Sequence, residues 1–112
     1  MRFLISGHTG FKGSWLALWL AERGHSVHGL ALAPEPGSLY ERASVGRIMA
    51  SSWHVDIRNS EAVREAVRAC RPEVVLHLAA QPLVRESYRD PRGTFETNSV
   101  GTLNVLEAVG TA

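Results

Sequence analysis

Seven residues, Gly7-His8-Thr9-Gly10-Phe11-Lys12-Gly13, carry the most specific chemistry in this sequence. Glycines spaced three apart let the backbone turn tightly and bring its N–H groups close to an anion, because no Cβ stands in the way. If a helix starts at this turn, its free N–H groups and the positive end of its dipole add to the attraction. The pyrophosphate of a dinucleotide suits such a turn when a strand precedes it and a helix follows. The bland alternative is a structural glycine turn. A nucleoside-triphosphate loop is excluded, since no Gly-Lys-Ser/Thr triplet follows.

Other reactive side chains are scattered. His25, His28 and His54 are not grouped with acids as a metal site requires, and no metal ligand set is expected. His77 sits in an apolar run and reads as a satisfied core imidazole, whereas His8, in the turn, is expected to point to solvent. Cys70 falls on the apolar face of a helix and reads as a packing thiol. It is the only cysteine, which rules out an internal disulfide framework and a cysteine-based zinc cluster. Arg85, Arg89 and Arg92 could meet a substrate phosphate or simply form a solvated face.

The elements that must position these groups alternate along the chain. Phe3 to Ile5, Val27 to Leu32, Ser52 to Val55 and Glu73 to Leu78 read as strands. Apolar residues recur at helical spacing from Phe11 to Arg23, with Trp15 and Trp19 expected in the core and Gly24 as the stop. A second helix carries Val63, Ala66, Val67 and Cys70 on one face and Glu61, Arg64, Glu65 and Arg68 on the other. Asn59 or Ser60 can cap it, and Pro72 ends the unit. Ala33 to Gly46 reads as a loop, as does Gln81 to Pro91, and a last helix runs from about Thr94 to Val109. Such alternation predicts an α/β fold, a Rossmann-type doubly wound parallel sheet of about four strands with helices on both faces.

Composition sets the outer bounds. The chain has 112 residues, one domain's worth at most, with 45% apolar and 21% charged residues. A formal net charge of +1 lacks the basic footprint of a nucleic-acid binder. The apolar runs are too short to cross a bilayer, and the first residues do not read as a signal peptide. A reducing cytoplasm is the expected location, with no nucleic acid and no membrane as partner.

The glycine turn, Gly7 to Gly13 followed by Ser14-Trp15-Leu16, resembles the extended short-chain dehydrogenase/reductase family of NAD-dependent epimerases and dehydratases. So do Ala79-Ala80-Gln81-Pro82-Leu83-Val84-Arg85 with Ser87-Tyr88, and Thr97-Asn98-Ser99-Val100-Gly101-Thr102. The Phe-Lys-Gly-Ser-Trp and Gln-Pro-Leu-Val-Arg segments are similar to the CDP-glucose 4,6-dehydratases within that family. The resemblance covers the whole chain but only the N-terminal third of such an enzyme. It implies NAD as cofactor, held by Gly7, Thr9, Gly10, Phe11, Lys12 and Gly13 at the phosphates. It also implies Asp56 and Ile57 at the adenine, Leu78, Ala79, Ala80 and Gln81 at the ribose and nicotinamide, and Thr97 facing the cofactor, with Asn98 bracing the backbone nearby. Helix-start stabilisation is the alternative role for Asp56.

For the parent, the resemblance implies a lyase converting CDP-glucose to CDP-4-keto-6-deoxyglucose, a nucleotide-sugar substrate and a homodimer. An epimerase or reductase of the same superfamily is the alternative, as is a non-catalytic NAD(H)-binding module. Residues 1–112 are expected to be the N-terminal part of the NAD(P)-binding domain, a fragment or truncated product without the substrate domain and the catalytic segment. No catalytic residue is assigned: Lys12 is the only lysine, and neither Tyr40 nor Tyr88 has a lysine four residues on. This chain alone is therefore expected to be inactive. The sequence departs from the family after the second strand, where Leu32-Ala33-Pro34-Glu35 offers alanine in place of an aspartate for the ribose, with Glu35 as a candidate substitute.

Overall fold

The computed structural model describes residues 1–111. Its four strands are β1 (Arg2–Ser6), β2 (Ser26–Ala31), β3 (Ser51–His54) and β4 (Val74–His77). They form one parallel sheet in the order β3-β2-β1-β4, with Leu4 of β1 opposite His28 of β2 and Val75 of β4. The helices are α1 (Phe11–Glu22), α2 (Leu39–Arg42), α3 (Ser60–Cys70), α4 (Val84–Arg89), α5 (Pro91–Phe95) and α6 (Gly101–Gly110). A 3₁₀ turn at Val45–Arg47 follows α2, and a π turn at Glu96–Val100 joins α5 to α6.

Alternation along the strands divides the core between the two faces of the sheet. Leu4 and Leu30 pack with Val63, Ala66, Val67 and Cys70 of α3 and Val105 and Ala108 of α6. Ile5 and Val27, one residue out of phase, pack with Ala17 and Leu20 of α1 and with Val45 on the opposite face. The doubly wound Rossmann-type arrangement expected from the sequence is the one present. Helix α3 is capped as its sequence predicts: the Asn59 side chain accepts from the Ala62 N–H at 3.1 Å, and Arg71 takes the left-handed conformation ahead of Pro72.

Several local expectations are corrected. Trp15 and Trp19 are 56% and 53% exposed, not core residues, because α1 turns the face of Ala17 and Leu20 to the sheet. The loop after β2 contains α2 and the 3₁₀ turn, and the loop after Gln81 contains α4. The last helix begins earlier than Thr94, at Pro91, where the Asp90 side chain accepts from the Gly93 N–H.

Candidate functional site

An open cleft of about 890 Å³ lies across the carboxyl ends of the strands, within the usual range of about 300–1,000 Å³ for small-molecule sites. Strands β2 and β3 lie to one side of β1 and β4 to the other, so the cleft opens where the strand order reverses. In open α/β sheets this switch point is where ligands bind. The thirteen residues that the family resemblance places at the cofactor all line it: Gly7, Thr9, Gly10, Phe11, Lys12, Gly13, Asp56, Ile57, Leu78, Ala79, Ala80, Gln81 and Thr97. Ala31, Leu32, Glu35, Val55, Arg58 and Pro82 line it as well.

The three glycines of the turn do different work. Gly7 has φ +86°, and a Cβ there would stand 2.8 Å from the Ala79 nitrogen, so the turn can press against the segment after β4 only with glycine. A Cβ on Gly13 would stand 2.1 Å from the Gly7 carbonyl oxygen, which fixes the close approach of α1 to the turn. Gly10 has room for a Cβ, whose nearest neighbour would be the Gly7 oxygen at 3.4 Å. Its backbone starts α1 with no side chain to cap the helix. The first-turn N–H groups are thereby left for an outside acceptor. No acidic residue stands in that turn, and Lys12 does. A cation at a helix N-terminus opposes the dipole, and it becomes favourable once an anion sits there.

His8 does not point to solvent. Its ring is fully buried, set into a notch that exists because residue 29 is glycine: a Cβ there would meet the ring at 2.2 Å. Nε2 lies 2.6 Å from the Ser52 hydroxyl, and Tyr40 packs edge-on at 5.6 Å between ring centroids. Nδ1 is buried without a hydrogen-bond partner. Burial pushes the imidazole down to about 4, with the Leu30 carbonyl offsetting part of the effect. The side chain thus ties the turn to β2 and β3, while the Ser14 hydroxyl donates to the His8 carbonyl from inside α1.

A second network fixes the far wall. The Ser6 hydroxyl accepts from the N–H groups of Leu78 and Ala79 at 3.0 and 3.1 Å. Its one proton therefore goes to Nδ1 of His77. His77 Nε2 then carries the proton that goes to the Thr102 hydroxyl at 2.9 Å, and Thr102 donates to the Asn98 carbonyl. The wiring defines a neutral imidazole, and burial lowers its pKa in the same sense. The imidazole is satisfied at both nitrogens, as expected from the sequence, but it is half-buried rather than in the core. Asn98 braces Gln81 on both sides of its peptide, accepting from the N–H at 2.7 Å and donating to the carbonyl at 3.1 Å. The π turn sets this register, directing Thr97 to the cleft and Asn98 to Gln81. Such turns recur at functional sites.

On the side of β3, the Asp56 carboxylate is gripped by Arg58 through its guanidinium, at 2.6 Å from Nη2, and through its backbone N–H at 2.9 Å. The hydrogen bonds from the Arg58 side chain hold this carboxyl below its ordinary value. Asp56 does not cap α3, a role taken by Asn59. Ile57 is seated from behind: the buried Asn104 side chain donates to its carbonyl at 2.9 Å, and Gly101 leaves room for its side chain. Position 104 gave no signal in the sequence, because a lone Asn in a helix reads as a surface residue until the buried carbonyl it serves is known. Arg85, Arg89 and Arg92 are exposed and do not line the cleft, and Arg89 pairs with Glu86. Among the described residues no cluster of histidine, cysteine and acids could hold a metal ion, and no helix is long and apolar enough to cross a membrane.

The profile of the family described as GDP-mannose 4,6 dehydratase matches residues 4–112. The chain is 50% identical over 110 residues to a CDP-glucose 4,6-dehydratase of Salmonella typhimurium, a match covering 96% of this chain and 30% of that protein. It is 30% identical over 115 residues to a GDP-mannose 4,6-dehydratase of Vibrio cholerae, over 95% of this chain and 30% of that one. Among solved structures it superposes on the UDP-glucose 4-epimerase of Thermus thermophilus in complex with NAD, with a TM-score of 0.82 and 39% identity. That match covers 96% of this chain and 33% of the epimerase. The chain spans about a third of the length of the relatives it matches.

Proposed function

Because the chain belongs to the GDP-mannose 4,6 dehydratase family, we propose that its cleft holds NAD and that it forms the cofactor-binding part of a nucleotide-sugar 4,6-dehydratase. The observation that carries this reading is the uncapped start of α1 at the switch point of the sheet, with a turn into which only glycine fits at positions 7 and 13. The identity of 50% to a CDP-glucose 4,6-dehydratase favours CDP-glucose as the substrate of the whole enzyme.

In this assignment the N–H groups of Phe11, Lys12 and Gly13 bind the pyrophosphate, and the ammonium of Lys12 adds its charge. The Ile57 backbone and the Asp56 carboxylate face the adenine. Leu78, Ala79, Ala80 and Gln81, fixed in place by Ser6, His77 and Asn98, form the wall along the second ribose and the nicotinamide, and Thr97 faces the cofactor from the π turn. Bound NAD supplies a hydride acceptor that can return the hydride later in the same turnover. A residue able to take a proton from the sugar is not assigned within residues 1–111, since Tyr40 packs on His8 and Tyr88 lies outside the cleft.

Titration calorimetry with NAD tests the proposal on the wild-type chain and on Gly10→Val. Gly10 lines the cleft and has room for a Cβ in the free protein, so the added branches stand in the path of the pyrophosphate rather than in the core. The expected result is binding by the wild type and a loss of at least about tenfold in the variant. Equal affinity in the two proteins would remove the assignment.

A further inference from the structure

We propose that Glu35 is the specificity residue for the cofactor's adenosine ribose, accepting from its 2′ and 3′ hydroxyls and turning away a 2′-phosphate. The inference rests on the dinucleotide reading above and assigns its selectivity to a residue outside the glycine turn and beyond the end of β2.

A ribose hydroxyl in this type of cleft is met by an acid about twenty residues past the glycine turn, on the side of the second strand. Strand β2 ends at Ala31, and Leu32 and Ala33 carry no acceptor. Glu35 is the next group that can serve, and it lines the cleft. Its backbone is held from both sides. Upstream, the Thr9 hydroxyl, within the phosphate turn itself, donates to the Leu32 carbonyl at 3.0 Å. Downstream, the Ser38 N–H donates to the Glu35 carbonyl at 3.2 Å, with Pro36 and Gly37 between them and φ +73° at Gly37. That is the signature of a type II turn. Proline after Glu35 restricts it to extended conformations. Further on, the Glu41 carboxylate accepts from the Gly37 N–H at 2.9 Å, tying the turn to α2. The acid is therefore carried on a short, stiff stem that starts at the phosphate turn.

Charge favours the same role. The cleft contains two carboxylates, Glu35 and Asp56, and Asp56 is already engaged by Arg58. The carboxylate of Glu35 has no hydrogen-bond or ion-pair partner among the described residues. Two vicinal hydroxyls can donate to its two oxygens. A 2′-phosphate would instead meet an uncompensated negative charge, and the guanidinium of Arg58 that could have received it is held by Asp56.

The test is calorimetric titration of the 112-residue chain with NAD and with NADP, for the wild type, Glu35→Gln and Glu35→Lys. The wild type is expected to prefer NAD by about tenfold or more, consistent with one lost charge-assisted hydrogen bond. In Glu35→Gln this ratio falls toward one, and in Glu35→Lys it inverts. A purely structural loss would weaken both cofactors alike and leave the ratio in place. An unchanged ratio in both variants while NAD still binds, or a wild type that prefers NADP, would overturn the role of Glu35 and leave the dinucleotide reading standing. Absence of NAD binding by the wild type would overturn both.

Discussion

The imidazole of His8 sits in the phosphate turn with one nitrogen on the Ser52 hydroxyl and the other buried and unpartnered. Protonating it in the folded state would place a charge in a dry interior where the Leu30 carbonyl offsets only part of the cost, which is why burial lowers its pKa from 6.5 to about 4. The unfolded chain takes up that proton below pH 6.5, and the folded chain does so only near pH 4. Stability from this group is thus fully present above pH 6.5 and is lost as the pH falls toward 4. At about 1.4 kcal/mol per pKa unit the loss would reach about 3 kcal/mol as an upper limit. Urea unfolding at a series of pH values should show a shallower decline for His8→Asn than for the wild type across that window; parallel curves would contradict the argument. The burial was not legible at the sequence level. It depends on Gly29, far away in the chain, leaving a notch on β2 that only the folded register brings beneath the ring. His77 could be read correctly, since its flanking valines and leucines already placed it inside a strand.

Between strand and helix, the glycine turn separates architecture from ligand access. Gly13 is packed against the backbone of Gly7, which cannot move aside without moving β1, whereas a Cβ on Gly10 would meet only the Gly7 oxygen, at 3.4 Å. Gly13→Ala should therefore destabilise the chain by about 1–3 kcal/mol as an overpacked site, and Gly10→Ala should stay within about 0.5 kcal/mol of the wild type. Thermal or urea melts of the two variants compare them directly, and equal melts would show that the turn is not the close contact described. Strands and α3 were legible because each repeats its own period: continuous apolar runs in β4, and a two-sided pattern in α3. Helix α4 was not, since none of its residues is buried and a helix without an apolar face leaves no periodic trace. In α1 the period was visible but its phase was ambiguous. Trp15 and Trp19 share a face as well as Ala17 and Leu20 do, and size favoured the wrong one.

Across the whole molecule, one end of the sheet collects every group assigned to the cofactor, and these come from five separate stretches of chain: the turn after β1, the stem after β2, Asp56 and Ile57, the segment after β4, and Thr97 of the π turn. The sequence shows which of these carry glycine, acid or small residues, but not that Asn104 and Gly101 seat Ile57 from behind, since those contacts span α6 and the end of β3. The opposite end of the sheet, around Arg64, Arg68 and Arg71, shares none of the residues that line the cleft. Backbone amide shifts of the ¹⁵N-labelled chain during titration with NAD read both ends at once. Saturable shifts are expected at Gly10 to Gly13, Ile57 and Ala79 to Gln81, with Arg64 to Arg71 unmoved. Shifts confined to the arginine end, or none at the glycine turn with NAD in excess, would contradict the cofactor assignment.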